Sequence, residues 1–303
     1  MEITPKSLIL DLLSTLPPRG GHSMPVRALI EAGGRFGMAS SSVRVALARL
    51  LAQERVERDE RGRYRLGVAA DAVSGAIRSW RRLEDQVVPW SQGWAAVHRA
   101  RIGSRRARRS GDQSLVFLGF REFEPGLFVR PDNLKGSIAE LRRRLMGLGL
   151  EDSARVFGLT DFDEISEARA RGLWDRDALS SAYQEACDAL AESHSRLSGA
   201  PVADAMMETF RLGGRVIRQL VLDPLLPEEL GSAEPRRRLV AQMREYDAFG
   251  RGCWAGFLRT HGVSHRSAPV DLRVAEGTEQ LASAALLRRR DLASTQHRED
   301  SGR

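Results

Sequence analysis

Arg44 and Arg49 stand in the run Ser40-Ser-Ser-Val-Arg-Val-Ala-Leu-Ala-Arg-Leu50. Val43, Leu47, Leu50 and Leu51 recur at i, i+4, i+7 and i+8, so the spacing predicts a helix from residue 40 to about 54 with those four side chains facing a core. The opposite face then carries Ser41, Arg44, Val45, Ala48 and Arg49. It is small, cationic and without an acid. A DNA major groove admits a helix of this kind and repels a carboxylate, and an arginine can grip the guanine edge with two donors. Arg44 and Arg49 are therefore expected to touch DNA, one of them at a base, with Val45 beside them. Ser41 and Ser42, with the free N–H groups of the first helical turn, suit phosphate oxygens.

Catalytic arrangements are harder to find. Cys187 and His194 lie seven residues apart on a predicted helix, which separates them by about 10 Å, too far for a thiol to meet its imidazole. His261-Gly-Val-Ser-His265 has two histidines but no third ligand for zinc. GxSxG, Walker and GxGxxG motifs are absent. The two cysteines show no CxxC spacing, so the expectation is no metal, no cofactor, no disulfide framework and a reducing, cytoplasmic setting. No apolar run approaches membrane length, and the N-terminus has no signal-peptide pattern.

The flanks of the cationic run suggest what would hold it in place. Thr4-Pro5 opens a first helix with Ile9, Leu12, Leu13 and Leu16 on one stripe, and Pro17-Pro18 and Gly20-Gly21 close it. Ser23 is expected to cap a second helix bearing Val26, Leu29 and Ile30, stopped by Gly33-Gly34. After the third helix, the alternation in residues 55–66 around an Asp59–Gly62 turn predicts a β-hairpin with Arg61 and Arg63 near its tip, placed for phosphates. Three short helices and a basic hairpin make a winged helix-turn-helix.

Charge is distributed to match. Lysine and arginine total 47 against 40 acids, for a net +7, and only Lys6 and Lys135 are lysine. Residues 1–110 carry 20 basic and 10 acidic groups, a net +10, and residues 111–303 carry 27 and 30, a net −3. A basic front end on a nearly neutral body is the footprint of a phosphate-binding module attached to something else.

Beyond it, residues 71–90 read as a linker helix. Trp94–His98 is a predicted strand, and Arg99–Arg109 a loop or weakly anchored helix. Leu115–Gly119 and Leu127–Arg130 are predicted strands joined through Phe120–Gly126, followed by a helix over Asn133–Leu148 and a strand at Ala154–Leu159. That order is the split βαβ of a ferredoxin-like domain. Ala178–Leu197, Val202–Val221 and Arg236–Phe257 read as helices, with Asp223-Pro-Leu-Leu-Pro227 breaking the pattern. The expected class is α+β: a winged helix-turn-helix over 1–70, the linker over 71–90, a ferredoxin-like domain over 91–173, a helical domain over 174–265 and a polar tail over 266–303. In the tail a short helix at 278–291 and ten disordered final residues are expected.

Five stretches, in order, resemble the phenylacetic acid degradation repressor family, the PaaX-like transcriptional regulators. They are Ser41–Leu50, Gly62-Arg-Tyr-Arg-Leu66, Trp90-Ser-Gln-Gly-Trp94, Pro125-Gly-Leu-Phe-Val-Arg-Pro131, and Arg218 with Asp223–Pro227. The resemblance implies a homodimeric repressor on double-stranded operator DNA, released when a small-molecule effector such as an aryl-CoA thioester binds. Arg130 and Arg218 are the candidate effector contacts, since paired arginine donors suit CoA phosphates. An RNA nuclease or a CoA-ester-processing enzyme carrying an accessory winged helix is the alternative. The nuclease would need acids where the first central strand ends, and the chain there reads His98-Arg99-Ala100-Arg101.

Overall fold

A computed structural model describes residues 3–16, 22–67, 79–100, 105–231 and 233–263, with the side chains of 105–108 outside that description. The polar tail and most of the first half of the expected linker helix lie outside the described residues. Helices and small antiparallel sheets together make an α+β chain. The described residues group into two compact units: those within 3–81, 182–221 and 235–263 in the first, those within 82–181 and 222–234 in the second. These groupings cut across the boundaries expected at 174 and 265, because the long late helices complete the core of the N-terminal segment.

In the first unit come α1 (Pro5–Ser14), α2 (Val26–Arg35), α3 (Ser40–Ala52) and the hairpin of β1 (Val56–Arg58) and β2 (Tyr64–Leu66). Thr4 caps α1: its side chain accepts from the Ser7 N–H at 3.2 Å while the Ser7 hydroxyl oxygen accepts from the Thr4 N–H, and Pro5 takes the first helical position. Every residue of α1 from Ser7 to Ser14 is buried, not only the expected stripe. The reason lies far along the chain. The core that takes in Leu8, Ile9, Leu12 and Leu13 also contains Met206 and Phe210 on one later helix and Trp254, Phe257 and Leu258 on another.

The second unit holds β3 (Trp94–His98), α4 (Arg105–Phe117), β4 (Arg121–Glu124), β5 (Leu127–Pro131), α5 (Ile138–Gly147), β6 (Arg155–Leu159) and the short α6 (Glu164–Arg171). The four strands run in the order β4-β5-β3-β6, all pairs antiparallel, with Trp94 opposite Pro131 on one side and Leu159 on the other. Alternation along β3 sends Trp94 and Ala96 into an aromatic core with Trp90, Phe123, Val129 and Trp174; the Trp94 and Trp174 rings stack at 6.2 Å.

Leu115–Gly119 is not a strand. Leu115 to Phe117 finish α4, with Leu115 and Leu118 buried and Val116 exposed, a helical period within an apolar run too short to declare it. The strand lies one step on, at Arg121–Glu124, where only Phe123 turns inward. Residues 79–86, expected to belong to the linker helix, form two 3-10 turns. Arg99 is no part of a loose loop. It is buried against Glu151 at 2.6 Å and also pairs with Asp112.

Three further helices complete the set: α7 (Arg176–Leu197), α8 (Val202–Val221) and α9 (Ala233–Thr260). Among the described residues no helix is long and apolar enough to cross a membrane.

Candidate nucleic-acid interface

The backbone of α2 and α3 sets how the cationic run is presented. A Cβ on Gly33 would stand 2.7 Å from Val43 Cγ2, so the two helices approach this closely only because residue 33 lacks a side chain. Val43, Leu47 and Leu50 point into the core from the other side of that contact. Ser41, Ser42, Arg44, Val45, Ala48 and Arg49 are consequently all exposed, Val45 to 50%. Neither arginine pairs with an acid among the described residues. Glu31, the acid of α2, stands 3.5 Å from Arg35 and 3.1 Å from His261 instead. The N-cap of α3 is Ala39, which offers no side-chain acceptor, and α2 starts after Pro25 with none either. Both leave first-turn N–H groups open, as anion contacts require. Exposed Arg27 in the first turn of α2 adds a cation that the sequence reading missed.

The hairpin is braced by one carboxylate. Asp59 Oδ1 accepts from the N–H groups of Arg61 at 3.0 Å and Arg63 at 2.8 Å, and Oδ2 accepts from the Ser23 hydroxyl at 2.5 Å. Gly62 closes the turn at φ +73°, in the region that favours glycine. Met24 bridges to Tyr64 with bonds of 2.8 Å in both directions, an isolated antiparallel bridge beside the two-stranded hairpin. Ser23 therefore does not cap α2 as expected; it ties the start of that helix to the hairpin tip.

The two hairpin arginines part company here. Arg61 is exposed with its guanidinium outward. Arg63 turns back, donating to the Ser23 carbonyl at 2.7 Å and the Gly262 carbonyl at 3.2 Å. It is a brace of the hairpin, and its donors are largely spent.

These hydrogen bonds, led by the one from Ser23, hold the Asp59 carboxyl below its ordinary value of 3.8. A depressed carboxylate contributes above its unfolded value and loses that contribution as pH falls through the folded one. The Arg61 and Arg63 amide NMR shifts are accordingly expected to titrate together, with a midpoint below the usual aspartate range. In Asp59→Asn that titration disappears and the tip loses order. Titration surviving in the variant would contradict the brace.

The two effector candidates fall in different compact units. Arg130 is 1% exposed, and its donors are taken by the carbonyls of Leu118, Pro131 and Pro224 and the Asn133 side chain. With no carboxylate bonded to it, burial pushes the guanidinium down to about 9. It is a structural clamp and is closed to a ligand, which corrects the expectation drawn from its sequence. Arg218 is exposed on α8, in the other compact unit, and has an interaction of its own.

Cys187 is buried, and burial raises its thiol. His194 packs its ring on Phe249 at 4.5 Å. Among the described residues no group of histidine, cysteine, aspartate or glutamate is placed to hold a metal ion. His265 lies outside the described residues.

No family model matches the chain, and no curated protein matches it. Among solved structures it is similar to an uncharacterized protein, Rv0674, from Mycobacterium tuberculosis. The identity is 21%, over 86% of this chain and 99% of that one, with a TM-score of 0.57. That likeness concerns the fold.

Proposed function

We propose that the chain is a DNA-binding transcriptional regulator. In this reading the N-terminal segment is a winged helix-turn-helix with α3 as its recognition helix, and the four-stranded unit is a ferredoxin-like domain. The observation that carries the reading is the exposed, acid-free face of α3, where Arg44 and Arg49 have no ion-pair partner among the described residues and precede a hairpin whose tip is braced from within. Large unpaired cationic faces are retained where an anion supplies the missing partner. The strand order β4-β5-β3-β6, reached through β-α-β-β-α-β, supports the second assignment.

The resemblance to PaaX-like regulators extends the proposal to a homodimeric repressor of an aromatic-acid catabolic operon. Two recognition helices would then enter major grooves about 34 Å apart or a multiple of that. An aryl-CoA thioester or a related acid relieves repression, through residues other than Arg130.

The test is a gel shift on duplex DNA from upstream of the chain's own gene, over a salt series, with and without aryl-CoA thioesters. The expected slope of log affinity against log salt is on the order of −3 per protomer for Arg44, Arg49 and Arg61 on phosphate or base. A flat salt series overturns the DNA reading. Retained binding in every thioester overturns the effector alone.

A further inference from the structure

We infer that α8 carries a second, auxiliary contact for the DNA backbone, continuous with the recognition helix; the inference rests on the DNA reading above. Arg211, Arg215 and Arg218 recur at i, i+4 and i+7, so they form one stripe, and all three are exposed. The stripe spans about 10 Å of helix axis, the rise of roughly three nucleotides along one strand.

Its position ties it to the DNA-facing side of the module. The Arg211 guanidinium lies over the Phe36 ring, 5.8 Å from its centroid, and that ring packs on Phe210 at 5.1 Å. Phe36 follows α2 directly and sits four residues before Ser40, where α3 begins. Arg211 is thus held at the turn that leads from α2 into the recognition helix, whose N-terminus is the end that enters the groove in helix-turn-helix proteins. Arg215 comes one turn further along α8 and has no acid partner among the described residues.

The acids earlier on the same stripe do not neutralise it. Glu208 is engaged by Arg196 at 3.2 Å, and Asp204 lies in the first turn of α8, where the helix dipole favours a carboxylate. A face that places arginines at regular spacing, starting from the groove-facing end of α3, matches a run of phosphates. These contacts position the duplex and carry no sequence information. They would fall on DNA flanking the half-site rather than on the bases read by Arg44 and Arg49.

Duplexes of two lengths provide the test: one limited to the half-sites, the other extended by about ten base pairs at each end. Arg215→Ala is the clean variant, because the side chain is exposed and has no ion-pair partner among the described residues. On the long duplex it is expected to reduce the magnitude of the log-salt slope by about 0.9 per protomer. On the short duplex it changes nothing. Arg211→Gln should act in the same direction, with its melting curve showing whether loss of the Phe36 contact has disturbed the fold. Unchanged slopes on the long duplex for both variants overturn the auxiliary contact. If the unaltered chain binds neither duplex at low salt, the underlying DNA reading fails instead.

Discussion

Replacing Arg130 with methionine is expected to destabilise the protein by about 3 kcal/mol or more, read as a fall in melting temperature or denaturant midpoint. Two effects oppose each other. Removing the guanidinium relieves a desolvated cation with no bonded carboxylate, pushed down to about 9. It also strands the acceptors on Leu118, Pro131, Asn133 and Pro224 inside the unit. Each stranded buried acceptor costs about 1–3 kcal/mol. Several such losses exceed the relief, because the cation is already satisfied by well-placed oxygens. The damage should concentrate at 223–227, where Arg130 reaches the Pro224 carbonyl and Asn133 donates to the Leu225 carbonyl at 2.8 Å. Amide exchange there should rise first. Lysine is a poor rescue, since a point charge with one nitrogen cannot serve carbonyls on several sides. An unchanged melt would remove the clamp from the account.

Arg44→Ala and Arg49→Ala are expected to weaken operator binding by about tenfold to a hundredfold for whichever arginine reads a guanine, the equivalent of about 1–3 kcal/mol. Binding to scrambled duplex falls less. Arg61→Ala should lower both affinities alike, as a phosphate contact does. Because Arg44 and Arg49 are exposed, both variants should melt like the parent chain. Equal losses on operator and scrambled DNA at both positions would assign the face to the backbone only.

Much of the candidate interface is legible in the sequence because the exposure of its residues follows from a single period. Once Val43, Leu47 and Leu50 are inside, Ser41, Ser42, Arg44, Val45 and Arg49 have to be outside, and they are. Trp94–His98 reads correctly for the same kind of reason, a compact apolar strand in the middle of a sheet. What fails depends on distant partners. The role of Ser23 is set by Asp59, and that of Arg63 by Ser23 and Gly262, the last 199 residues away. Arg130 looks like an anion contact until the carbonyls of Leu118 and Pro224 surround it. The misplaced strand has a local cause. Arg121-Glu-Phe-Glu124 is an edge strand with charged residues at three of four positions, which protects the edge and hides the alternation. The apolar Leu115-Val-Phe-Leu118 beside it looks more strand-like than the strand.

The core beneath α3 is closed by side chains synthesised late. Leu8, Leu12 and Val43 share one cluster with Trp254, Phe257, Leu258 and Val263. At about 5–20 residues per second, a ribosome that has released the hairpin still needs roughly 10–40 s to supply those partners. A nascent N-terminal half therefore emerges with apolar surface uncovered, open to chaperones. A reporter fusion or domain graft ending at Gly67 would carry the arginines but lack the helices that finish their support.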